Sequence, residues 1–317
     1  MLTCKSPRKV MLVAYHLASR SLPSYTSEFS RHDFTLPQLF ACLVVKEQMK
    51  RSYRGAEALL RDSDHWCKAI GMRKVPDHNT LCRAAAYLLA KCRVDRLLDV
   101  LARWAVAARM LGLSIKPVAF DSTYFESHHV SRYYERRCRQ SRKGRKGRKS
   151  RRARTVRGIP KLAVAVCARS HLVLSMWTGT GMGGDHPHFE SLLLDAWSRV
   201  PHRRFKAVGD AGYDSEANHQ IGRQKMGLQL TIPPETGRRS KSGALPAGRW
   251  RRRMRTMLAT ADSRKRCGYT QRWQAETVNS MMKRNQGSAL AGKTAHSRKR
   301  ELALKVLTHN AMIFCRR

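Results

Sequence analysis

"KLAVAVCARSHLVLSMWT", residues 161–178, places two short Val- and Leu-rich runs on either side of Arg169 and Ser170. Runs this short, rich in β-branched residues, read as two strands joined by a tight hairpin. Upstream, "PVAFDST" (117–123) has the same chemistry. Downstream, "HPHFESLLLDAWSRV" (186–200) reads as a helix, "FKAVGD" (205–210) as a buried strand and "DSEANHQIGRQKMG" (214–227) as a helix. "LQLTIPP" (228–234) is a strand stopped by Pro233 and Pro234. The order βββαβαβ, followed by helices, predicts an α/β fold in which helices pack on a mixed sheet. The final helix spans roughly 298–314, with Leu302, Val306 and Met312 on it.

Residues 1–115 carry a different period. Leu39, Phe40, Leu43 and Val44 follow a helical spacing after Pro37, and a second helix covers Tyr53 to Leu60. In "VPDHNTLCRAAAYLLAKC" Asp77 or Asn79 suits the cap of the next helix, and Val94, Leu97, Leu98, Leu101 and Ala105 form a 3.6-residue stripe. This is an all-α region with a core face. A helix-turn-helix that reads DNA and a plain helical bundle both fit it.

The 317 residues are 42% hydrophobic, enough for a sizeable core. Lys and Arg number 63 against 22 Asp and Glu, a formal charge of +41. Such an excess repels itself unless a polyanion neutralises it, which points to nucleic acid. A basic RNA-binding or ribosome-associated structural protein would share the charge without placed carboxylates. The nine cysteines form no C-x-x-C pair and read as reduced packing thiols; His186 and His188 have no Cys pair nearby to complete a zinc site. No apolar run approaches the ~20 residues that span a bilayer, and no cleavable leader is expected. The expected location is cytoplasmic, with no membrane partner.

The cations are concentrated. From Arg142 to Arg157 ten of sixteen residues are Lys or Arg, in near-triplets that include Arg142, Lys143, Arg145, Lys146, Arg148 and Lys149. This basic loop, 136–158, lies between the first two predicted strands and offers phosphate contacts without sequence information. Glu235 to Arg266 also reads as basic loop.

Carboxylates stand out against that background. Asp121 ends "VAFD" and Asp210 ends "KAVGD", both at the expected rim of the sheet, where an Asp is also a common turn residue. In "YTQRWQAETVNSMMK" (269–283) Tyr269, Arg272, Glu276 and Lys283 fall within roughly 60° of one another on a helix. An i, i+4 ion pair explains Arg272 but neither Tyr269 nor Lys283. Trp273 turns away from that face and is expected in the core, with base stacking as its other reading. Asn279 shares the face approximately, and Asp185 is expected to cap the following helix.

These four residues satisfy Y-x2-R-x3-E-x6-K, which resembles the signature of the DDE transposases of bacterial insertion sequences, groups four and five. "VAFDST" and "AVGDAGYDS" are similar to that family's two aspartate motifs, in the family's order. "SYRGAEALL" and "VPDHNTLCR" are more loosely similar to its helical N-terminal region. The resemblance implies an α/β, ribonuclease-H-like catalytic domain over 116–317 behind the all-α region 1–115. Asp121, Asp210 and Glu276 would be the catalytic residues and would hold two Mg²⁺ ions, with Mn²⁺ as a substitute. Tyr269, Arg272 and Lys283 would bind double-stranded DNA, both transposon ends and target, in a nucleoid-associated bacterial homodimer. The implied function is transposase: binding terminal inverted repeats, metal-dependent strand cleavage and strand transfer. A nuclease of the same fold, or a DNA-binding descendant without catalysis, would share these residues. Some family members carry a β-rich insertion before the catalytic helix; here only Pro233 to Gly268 is available, so a compact core is expected.

Overall fold

The computed structural model describes residues 3–112, 117–127, 159–181, 183–200, 205–235 and 246–315. The N-terminal part folds as α1 (Pro7–Ser21), α2 (Leu36–Gln48), α3 (Tyr53–Asp62), α4 (Asp64–Ala69), α5 (His78–Leu88) and α6 (Lys91–Ala107). Local sequence sets the boundaries. Thr35 and Gln38 close a reciprocal capping box with Pro37 in the first turn of α2, and the Asp77 side chain caps α5.

The second part runs β1 (Val118–Tyr124), β2 (Glu126–Ser127), β3 (Pro160–Cys167), β4 (Val173–Thr180), α7 (Phe189–Arg199), β5 (Lys206–Gly209), α8 (Glu216–Gln220) and β6 (Gln229–Thr231). It ends with α9 (Arg249–Met257), α10 (Ala261–Arg266), α11 (Trp273–Gln286), β7 (Ala289–Leu290) and α12 (Ala295–Phe314). The five-stranded sheet has the order β4-β3-β1-β5-β6, antiparallel from β4 to β1 and parallel from β1 to β6. This is the ribonuclease-H-like mixed sheet that the sequence implied. β2 and β7 pair separately, fastening the end of α11 to the extension of β1.

Three details differ from the sequence reading. The hairpin between β3 and β4 is wider than two residues: Cys167 donates to Leu172 O, His171 donates to Cys167 O, and His171 takes φ +60 to close it. The helix expected over 214–227 is a short α8 followed by a π turn, Ile221–Lys225, in which Gly222 lets the backbone approach Leu230 and Leu193. The stretch read as loop up to Arg266 contains α9 and α10; its Trp250, Met254 and Leu258 recur every four residues and turn inward, a helical signal hidden by the surrounding arginines. Among the described residues between β6 and α11 there is no strand, in keeping with a compact core.

One hydrophobic core runs through both parts. Its axis is α12, buried from Leu302 to Ile313, which packs on β3 and β4 on one side and on α1, α2, α5 and α6 on the other. Within it Lys305 Nζ meets Glu47 Oε1 of α2 at 2.6 Å and donates to Gln286 O, the last residue of α11, also at 2.6 Å; both ionic side chains are almost wholly enclosed. A second clasp joins α7 to α6, where Arg199 reaches Asp99 at 2.7 Å and Asp95 at 3.3 Å.

Removing one partner of a buried pair strands the other. Lys305→Met is therefore expected to cost about 3 kcal/mol in urea denaturation, and Glu47→Gln with Lys305→Met to recover most of it. Equal stability of the wild type and the single variant would show that Glu47 is already satisfied without Lys305.

Candidate active site

The site is built where one strand pairing stops. β1 and β5 run parallel with Val118, Ala119 and Phe120 opposite Ala207, Val208 and Gly209, and the next residue on each chain is an aspartate. Asp121 and Asp210 thus stand in register just past the β1–β5 pairing, and residues opposite each other point to one face. β1 itself continues to Tyr124 beside β3, so Asp121 lies within a strand and not at its end as expected. It is the rim of the β1–β5 pair.

α11 crosses that face and packs on β1 and β3. Asn279 Nδ2 donates to Asp121 Oδ2 at 2.9 Å from a position that is itself buried. One turn earlier, Glu276 meets Arg272, Nη2 to Oε1, at 2.6 Å, and Arg272 Nη1 stands 3.8 Å from Asp210 Oδ1. The guanidinium therefore bridges the acid from the helix and the acid from β5. Tyr269 is half-buried beside Arg272. Lys283, two turns beyond Glu276, places its ammonium 5.3 Å from the centre of the Phe125 ring; burial lowers its pKa while the charges of Asp121 and Glu126 oppose the shift. The four signature residues thus gather around one rim.

They do not share one α-helix. Tyr269–Gln271 form a 3₁₀ turn and α11 begins at Trp273. The faces still agree, because residues i and i+3 eclipse in a 3₁₀ turn and Tyr269 stays in line with Arg272. Trp273 is 53% exposed, which overturns the expectation of a core position. Trp273 stands three residues before Glu276 and shares the exposed side of α11, opposite the buried Ala275, Val278 and Met282.

Asp185 also differs from expectation. Its side chain makes no capping hydrogen bond; it accepts from Ser122 Oγ at 2.8 Å and pairs with buried Lys161 Nζ at 2.6 Å. Ser122 follows Asp121 on the strand and therefore faces the opposite side of the sheet, against α7. Lys161 opening an otherwise apolar strand was the sequence signal for this pair. Arg142, Lys143, Arg145, Lys146, Arg148 and Lys149 lie outside the described residues.

Burial raises the Asp121 carboxyl to about 6; the Asn279 amide and the Ser122 N–H oppose the shift, and the charge of Glu276 adds to it. The positive charge of Arg272 also opposes the shift without cancelling it. Asp121, Asp210 and Glu276 supply hard oxygen donors, the chemistry that suits divalent magnesium or manganese. Among the described residues no three acidic, imidazole or thiol side chains stand together as a ready cation site; the Arg272 guanidinium lies between two of the three acids instead. No described helix is long and apolar enough to cross a membrane.

The folded protein holds the Asp121 proton above the ordinary 3.8, so this residue's contribution to stability is present below about pH 4 and is lost as pH rises through about 6. In EDTA, Asp121→Asn is expected to match the wild type near pH 4 and to exceed it by about 2 to 3 kcal/mol at pH 8 in urea denaturation. A variant no more stable than the wild type at pH 8 would mean that the carboxylate carries no burial penalty.

The sequence model of the transposase DDE domain family matches residues 113–311, a span that contains every element from β1 through most of α12. No curated protein shows significant similarity to the chain.

Proposed function

We infer, because the chain belongs to the transposase DDE domain family, that it cuts DNA at the terminal inverted repeats of its own insertion sequence and joins the freed 3′ ends to target DNA. The observation that supports this reading is the β1–β5 register, which sets Asp121 opposite Asp210 just past the last paired residues, with Arg272 of the crossing segment joining Asp210 to Glu276 of α11. Enzymes of this family use divalent metal ions; we assign Asp121, Asp210 and Glu276 as the metal-holding residues, with two Mg²⁺ as the natural ions. Bound there, the metal would polarise the scissile phosphate and lower the pKa of the attacking water or 3′-hydroxyl.

The remaining chemistry belongs to the chain. Asn279 fixes the Asp121 carboxylate through its 2.9 Å hydrogen bond, and β1–β5 pairing fixes Asp210 beside it. Arg272 neutralises Asp210 and Glu276 in the free protein, and its planar fork equally suits a phosphate. Arrival of DNA and metal would release the acids and move the guanidinium onto the backbone. Lys283 and Tyr269 hold the same strand, the lysine as a point charge and the phenol as a hydrogen-bond donor. Exposed Trp273, next to Arg272, offers a ring on which an unpaired terminal base stacks. Two element ends must be held together, which favours a homodimer in the DNA complex. The exposed Arg54 and Arg83 of α3 and α5 give the N-terminal helices phosphate contacts of their own.

The test is cleavage and joining of labelled linear DNA carrying the element's ends, with Mg²⁺ or EDTA. Metal-dependent nicks and joined products are expected from the wild type and absent from Glu276→Gln. Nicks without joined products would indicate a nuclease, and tight binding without any product a DNA-binding protein only.

Trp273→Ala is expected to weaken binding to ends with an unpaired terminal base by about 1 to 3 kcal/mol while leaving fully paired duplex unchanged. An equal loss on both substrates, measured by fluorescence anisotropy, would assign Trp273 to folding or to general DNA contact.

A further inference from the structure

α9 reads RWRRRMRTM, and Arg249, Arg252 and Arg253, at i, i+3 and i+4, are all exposed on its outer face. Like charges at these spacings repel one another, and helices carrying them are weakened by a few tenths of a kcal/mol per pair. The fold holds this helix in place by other means. Glu216 accepts from the backbone N–H groups of Trp250 and Arg251 at 3.0 and 3.2 Å, closing the helix N-terminus. Gly248 precedes it at φ +93, where a Cβ would collide with the Glu216 carboxylate. Arg251 turns inward to Asp214, a wholly enclosed carboxylate, with contacts of 2.8 and 2.6 Å. Met254 and Leu258 anchor the inner face, and the Trp250 ring lies under Arg223, Arg249 and Arg253.

Two carboxylates in an acid-poor chain are thus committed to one arginine helix, and none of the ion pairs among the described residues reaches Arg249, Arg252 or Arg253. From residue 236 to 261 the sequence contains no acid. Position adds a second argument. Asp214 and Glu216 follow Asp210 by four and six residues, so the loop that carries a candidate catalytic acid is the one that grips α9. α10 then leads directly into the Tyr269 turn, with Lys206 Nζ donating to Arg266 O at 2.8 Å.

We propose that the outer face of α9 is a second duplex-DNA contact, which holds the phosphate backbone a few base pairs from the bond being cut. The proposal rests on the reading of the chain as a DNA transposase. Nine residues at ~1.5 Å span about 14 Å, the length of roughly four base pairs. Arginine suits this role because its fork pairs with phosphate oxygens without deprotonating, and because the clamped backbone lowers the entropy lost on contact. Such a contact positions DNA and reads no bases.

The full-length protein is titrated with a labelled linear duplex taken from DNA flanking its coding sequence, over a series of salt concentrations. Replacing Arg249, Arg252 and Arg253 with Gln is expected to reduce the slope of log affinity against log salt by about 2 to 3, while replacing all three with Lys leaves the slope close to wild type. A control that loses the same charge elsewhere, Arg8, Arg96 and Arg103 to Gln, is expected to change it by less than one. An unchanged slope in the α9 variant, an equal loss in the control, or a loss seen only with an RNA competitor would overturn the proposal. Circular dichroism and melting of each variant confirm that the helix is intact. Should the wild type itself show no salt-dependent duplex binding, the DNA reading of the whole chain fails first, a result distinct from failure of α9.

Discussion

The candidate site depends on the register of one strand pair. β1 and β5 align Phe120 with Gly209 and then separate, so that Asp121 and Asp210 emerge side by side on the face covered by α11. A slip of one residue would turn one carboxylate to the face occupied by α7 and into the Phe120–Phe189–Tyr213 ring cluster. Pairing of β1 with β3 from Val118 to Tyr124 resists that slip, because every β3 residue opposite it is buried. The apolar sheet centre therefore decides where the polar rim falls.

The third acid depends on how α11 is held. Midway along it Asn279 binds Asp121, and at its far end Lys305 donates to Gln286 O while Lys50 donates to Arg284 O at 2.9 Å. Lys305 is in turn held by Glu47 of α2. The N-terminal helices thereby set the position of the helix that carries Glu276, and the shared core around α12 makes the two parts of the chain one mechanical unit. This coupling is polar and buried, so its cost falls on whichever partner is removed, not on the pair.

Much of this was legible in the sequence, and the reasons are local. The short apolar runs that open β1, fill β3 and open β4 read as strands, and their order set the sheet's class. The signature spacing 269–283 brought Tyr269, Arg272, Glu276 and Lys283 to one rim even though a 3₁₀ turn replaced the first turn of helix, since both geometries align those positions. Tertiary partners were not legible. Nothing adjacent to Asn279 announces Asp121, and the sequence reading placed Trp273 in the core although it stands only three residues from Glu276 on the exposed side of α11. The arginines of α9 concealed a helix because composition outweighed the four-residue recurrence of Trp250, Met254 and Leu258.

The cations divide into two populations with different physics. Lys161, Arg199, Arg251 and Lys305 are matched with carboxylates inside the fold and donate to backbone carbonyls as well. Buried pairs of this kind are little screened by salt. The exposed cations among the described residues repel one another across the surface and gain most from a polyanion. Salt weakens that attraction steeply while leaving the internal pairs almost untouched, so ionic strength regulates DNA affinity far more than it regulates the fold. Arg272 stands between the populations: it is matched with two acids, Asp210 and Glu276, yet remains partly open to solvent, so a phosphate could compete with those acids for its guanidinium.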